Sequence, residues 1–130
     1  MLRSLLVVAC GGALGGLTRH AITEAWPTPD DAFPVATLVV NTTGALVLPA
    51  LLVLLAGSGR RHVLGRLLLG TGFVGAYTTF SSVMVSVDRL LASGHAGTAV
   101  TYLAVSVLAA GPAVVLGLRL GRAMRPASAA

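Results

Sequence analysis

The chain has 130 residues, 55% of them hydrophobic and 10% charged, with a formal net charge of +5 and a mean hydropathy of +0.90. A soluble domain carries about 25% charged residues and spaces its apolar ones amphipathically, so a soluble fold is excluded and the membrane class indicated. The positive balance does not indicate nucleic acid: the basic residues are all arginine, and most flank apolar segments, where they anchor to headgroups and set topology.

A spanning helix takes roughly 20 mostly apolar residues, and the sequence supplies four such runs, at about 5–25, 34–56, 63–87 and 96–118. They predict an all-α membrane protein, a single four-span domain over 1–130. In span 1, Gly11, Gly12, Gly15 and Gly16 form two overlapping GxxxG pairs, a small-residue face along which helix backbones approach closely. Cys10 is the single cysteine; it reads as structural and membrane-facing, since no Cys/His cluster stands at metal spacing. Arg19 and His20 lie one turn inside the end of the span. Arg19 either snorkels, pairs with a carboxylate such as Glu24, or faces water and attracts anions. Trp26-Pro27, an interfacial aromatic and a helix breaker, closes the span.

Span 2 carries Thr37, Asn41 and Gly44 on one face, with Thr42 and Thr43 beside them, and closes at Gly57-Ser58-Gly59. Taken singly, an amide in a span is interhelical glue rather than a pore group. Span 3 contains GFVGAYTTFSSV at 72–83. Gly70, Gly72 and Gly75, then Tyr77, Thr78, Thr79, Phe80, Ser81 and Ser82, stand where a uniform helix takes leucine. Glycine permits a break, and a break frees carbonyls and amides that an ion, water or hydroxyls must satisfy. The third helix is therefore expected to break near its middle, around an ion. Span 4 has Ala109, Ala113 and Gly117 as a packing face and Thr98, Tyr102 and Ser106 as a polar one.

Arg3, Arg60, Arg61, Arg66, Arg119, Arg122 and Arg125 fall at the termini and the 2/3 loop, whereas Glu24, Asp30, Asp31 and Asp88 lie opposite with Arg89. By the positive-inside rule the termini are cytoplasmic and the protein is a multi-pass protein of the cell membrane. No nucleophile, base and acid constellation of the kind catalysis needs is present, so the chain reads as no enzyme.

The span 3 stretch resembles the signature of the Fluc (CrcB) fluoride channels, a pattern close to GFxGGxTTFSTF. Further motifs follow in the same order along the whole chain: GGxxGxxxR from Gly11 to Arg19, VNxxG from Val40 to Gly44, and the span 4 tyrosine as Tyr102. The resemblance implies an antiparallel dimer with two narrow pores at the subunit interface, passing fluoride passively out of the cell. It implies a structural sodium ion at the dimer centre, held by backbone carbonyls of Gly75 and Thr78. Fluoride needs donors and weakly positive edges in place of water; Phe80 supplies the ring edge, Asn41, Ser81, Ser82, Tyr102 and Ser106 are candidate donors, and Arg19 is placed at a vestibule.

Three departures stand out. Val83 occupies the place of the family's second phenylalanine, His20 that of a tyrosine, and the polar track of span 4 ends in Ala110 and Pro112. With the one-sided arginines, Val83 suggests that the partner is a homologous second chain inserted the other way up. The alternatives are a small four-span exporter of drugs or cations, which would need a carboxylate deep in span 1, and a non-conducting assembly subunit.

Overall fold

The computed structural model describes residues 1–57 and 59–125. Ser58, within the expected closure of span 2, and the tail beyond Arg125 lie outside the described residues. All the elements are helical: α1 (Leu2–Ala25), α2 (Val35–Leu54), α3 (Arg60–Gly65), a π-helical segment (Arg66–Val74), α4 (Gly75–Tyr77), α5 (Ser81–Ala92) and α6 (Ala96–Met124). α1, α2, α6 and the composite run Arg60–Ala92 are each long and apolar enough to cross a membrane. The chain is thus a four-span, multi-pass membrane protein.

Small residues set how the spans meet. A Cβ on Gly11 would overlap the carbonyl oxygen of Leu68, and one on Gly15 that of Phe73, so α1 lies directly on the backbone of the π-helical segment. Gly117 stands in the same relation to Leu46, and Gly121 approaches the carbonyl of Ala50; both numberings rise together, so α2 and α6 run in parallel. Of the two overlapping GxxxG pairs only Gly11/Gly15 is used, for Gly16 has nothing within 4 Å. With no hydrophobic drive between helices in lipid, such close backbone contact is what dispersion forces need.

The interior is small. Val40, Leu90 and Tyr102 are its largest fully buried side chains, and Tyr102 meets Phe33 edge-on at 5.4 Å and 88°. α5 ends in a Schellman motif: Gly94 donates to Leu91 at 3.0 Å and His95 to Leu90 at 2.8 Å. Gly94 takes φ +81°, a left-handed conformation open to glycine at little cost.

The third span is broken near its middle, as the sequence leads one to expect, although not at its glycines. Gly75 is helical at φ −61°, ψ −32°, and the chain turns extended only at Thr78, φ −78°, ψ 153°. Gly72, before the break, serves close approach instead. A Cβ on Gly72 would come within 2.7 Å of the carbonyl of Val8.

Candidate functional site

The break is templated by α2. Thr37, Asn41 and Gly44 fall on one side of that helix by their spacing. Asn41 Nδ2 donates to the carbonyl of Thr79 at 2.9 Å, and Thr79 N donates to Asn41 Oδ1 at 2.8 Å. The side-chain amide therefore satisfies both halves of a residue that belongs to neither helix. One turn on, Gly44 leaves room for Thr78, whose methyl a Cβ there would overlap. The Tyr77 and Thr43 hydroxyls bond at 2.9 Å. Thr79 then caps α5: its Oγ1 accepts from Ser82 N at 3.1 Å, bonds Ser81 Oγ at 3.0 Å and donates to Ser82 Oγ at 3.1 Å. A threonine in this place relieves one of the orphan amides of a helix start.

On the other side of the break the first half-helix presents its carbonyl end. Thr78 donates to Val74 through both its amide and its hydroxyl, each at 3.0 Å. Arg19 Nε donates to the carbonyl of Ala76 at 3.2 Å, which places a guanidinium at the negative end of that half-helix, where a cation is stabilised. Among the described residues, the carbonyls of Gly75 and Thr78 accept no backbone amide across the break. Gly75 is exposed, and a Cβ on it would meet only the carbonyl of Gly70, at 3.8 Å.

Arg19, Thr37, Ser81, Ser82, Ser86 and Arg89 line one cavity of 420 Å³ between α1, α5 and the 1/2 loop. An ion pair stands on its wall, Arg89 Nη1 to Asp30 Oδ1 at 3.2 Å, with both side chains more than half exposed and hence contributing little to stability. Deeper in, the hydroxyls of Ser106, Thr37 and Ser86 face that of Tyr102. Tyr102 is fully buried, and its hydroxyl has these three as neighbours without ideal hydrogen-bond geometry to any one of them. Ser106 donates to the Tyr102 carbonyl at 2.7 Å, so it offers lone pairs inward while that bond lasts. Thr37 and Ser86 thus belong both to the cavity and to the tyrosine's surroundings, making one line of hydroxyls from the vestibule to the core.

Arg19, Ser81 and Ser82 accordingly share the cavity, Tyr102 and Ser106 adjoin it through Thr37 and Ser86, and Asn41 holds the break behind it. Phe80 is not part of that cavity within the chain. The ring is 75% exposed on the outer face of the break, whereas Val83, three residues on, is 6% exposed and packed inward. Thr37 was legible as a polar residue in a span but not as a neighbour of Tyr102. Ser86 was missed, although its position one helical turn after Ser82 was a usable signal.

The family profile described as "CrcB-like protein, Camphor Resistance (CrcB)" matches residues 6–118. The chain is 43% identical over 118 residues to "Fluoride-specific ion channel FluC 2" of Nocardia farcinica, an alignment covering 91% of this chain and 84% of that one. It is 44% identical over 120 residues to "Fluoride-specific ion channel FluC 3" of Streptomyces avermitilis, covering 91% of this chain and 58% of the relative. With "Fluoride-specific ion channel FluC" of Paracoccus denitrificans it shares 37% over 124 residues, 95% of this chain and 98% of the other.

Proposed function

The chain belongs to the CrcB family, and from that premise we propose that it is a subunit of a fluoride-selective channel which lets fluoride leave the cytoplasm passively. The observation that carries this reading is the buried Tyr102 hydroxyl, set among the hydroxyls of Ser106, Thr37 and Ser86, at the inner end of a line of hydroxyls that begins in the Arg19 cavity. Desolvating so many hydroxyl donors in a membrane interior is costly. A small anion that accepts hydrogen bonds relieves that cost and receives in return part of what it loses on leaving water. Arg19 raises the anion concentration at the entrance. Asn41 keeps one amide proton beyond the one given to Thr79. An exporter that couples protons to a cationic substrate finds no carboxylate for the task, since Glu24, Asp30, Asp31 and Asp88 all lie at span ends.

The functional unit is an antiparallel dimer. Phe80, turned out of its own subunit and 75% exposed, offers its positive ring edge to an ion only where a second chain encloses it. The carbonyls of Gly75 and Thr78 suit a sodium ion: they are oxygen donors free of backbone partners, beside a position with no side chain in the way. When bound, sodium would neutralise carbonyl dipoles brought together from both subunits. Replacing sodium by N-methylglucamine is expected to lower the thermal stability of the dimer, and unchanged melting argues against the site.

The partner is a homologous chain inserted the other way up. Seven arginines at one end against Arg89 at the other favour a single orientation, and Val83 deprives this chain of an aromatic residue that the family pattern carries. Reconstitution in liposomes tests both claims. Fluoride but not chloride is expected to leave vesicles that hold this chain with a homologue, the chain alone is silent, and Phe80→Ile in the active pair reduces flux to the background of empty vesicles. Equal chloride and fluoride flux refutes the channel reading; full fluoride flux from the pure chain refutes the pairing.

A further inference from the structure

The end of the molecule remote from the cavity carries Arg3, Arg60, Arg61, Arg66, Arg119, Arg122 and Arg125, and all four carboxylates of the chain lie at the other end. Two of these arginines are engaged by the chain itself. Arg66 Nη1 donates to the carbonyls of Leu55 and Gly57, and Arg125 Nη2 to that of Ala56 at 3.3 Å. Among the described residues, Arg3 and Arg61 make no ion pair, and both are exposed.

Between α1 and the run formed by α3 and the π-helical segment lies an open groove of 330 Å³, walled by Leu6, Val7, Cys10, Leu64 and Leu68, with Arg3 at its end. Arg61 stands one turn before Leu64 and Gly65 on the same side of α3. An apolar trough thus runs from membrane depth to Arg3, with Arg61 one turn from its lining on α3. A second apolar groove, of 490 Å³, lies on the other side of the same run, by Leu52, Leu67 and Arg66, but its arginine is spent on the carbonyls of Leu55 and Gly57. Of these two grooves, it is the α1 groove that combines an apolar bed with arginines that make no ion pair among the described residues.

We propose that the α1 groove binds an anionic phospholipid, one acyl chain along Leu6, Cys10, Leu64 and Leu68 and the headgroup phosphate between Arg3 and Arg61. Arginine binds phosphate through a planar fork of donors, and basic sites between spans on the arginine-rich side of a membrane protein select such headgroups. The site is independent of fluoride conduction.

Cys10, the single cysteine and exposed, reports occupancy from inside the groove. In a neutral detergent the full chain is treated with a maleimide while phosphatidylglycerol, phosphatidylcholine or inorganic phosphate is added, and bound lipid is counted by native mass spectrometry. Phosphatidylglycerol is expected to slow modification and to remain bound, and the other two to do neither. The pair Arg3→Gln and Arg61→Gln weakens that protection, by about fivefold per arginine, whereas Arg119→Gln with Arg122→Gln, at the same end of the molecule on α6, leaves it unchanged. Equal protection by phosphatidylcholine would make the groove a bed for any lipid, and protection by phosphate a site for the free anion. Protection lost equally in the α6 variants would mean diffuse surface charge, and protection without lipid would mean a second chain covering the groove. Each of these four results overturns the proposal.

Discussion

The two halves of the third span meet their neighbours by different means. Before the break, the π-helical segment presents bare backbone to α1, glycine against carbonyl, at Gly11, Gly15 and Gly72. After it, α5 meets the rest of the molecule through side chains, burying Val83 and Leu90 and turning Ser82 and Ser86 to the cavity. Backbone contact fixes position tightly and carries no chemistry of its own, while side-chain contact leaves room to choose which groups face water. The rigid half serves as the foundation and the second half carries the hydroxyls, with Asn41 joining the two.

Removing that joint has the largest expected effect. Asn41→Leu deprives the Thr79 amide and carbonyl of their partners, at about 1–3 kcal/mol for each orphaned group. Fluoride efflux by the active pair and the melting temperature in detergent should fall together; a variant that melts normally and conducts in that pair would show that the break holds without the clamp.

Gly15→Ala comes next. Its methyl would overlap the carbonyl of Phe73, a backbone atom that cannot rotate away, and overpacking of that kind costs about 1–3 kcal/mol. The loss is measured by denaturation in mixed micelles, and a stability equal to that of the parent protein would mean that α1 and the third span are less closely apposed.

Val83→Phe sharpens the contrast from the other half. It restores the family's aromatic residue at a position 6% exposed, so the ring must displace side chains, which yield more readily than backbone. The expected cost is toward the lower end of about 1–3 kcal/mol, with no gain in flux from the pure chain. Recovery of flux without loss of stability would show that the position faces the pore.

Gly16→Ala is the smallest: nothing lies within 4 Å of its added methyl, so only the helix-propensity gain remains, a stabilisation of about 0.5–1 kcal/mol. Placed beside Gly15→Ala, it separates close packing from helix propensity, since both replace glycine by alanine in the same helix.

Much of this was open to reading along the chain. Four spans, the break in the third and the hydroxyl set of 72–83 rest on hydropathy and residue type, which are local properties. Arginine placement is equally local, and so is the bias toward one orientation that it implies. The motifs led to Asn41, Ser82 and Tyr102 as residues that matter, because a polar group in a span must find a partner.

What those groups do was decided by the tertiary structure. Asn41 bonds a peptide unit 38 positions away, and no local pattern names that partner. The break falls at residues 78–80 rather than at the glycines because Asn41 and Gly44 make a seat for Thr78 and Thr79, while Gly72 packs against α1. Phe80 and Val83 lie within one turn of each other, and helical spacing alone does not say which is inward. Packing of α5 against the interior turned Val83 in and left Phe80 out.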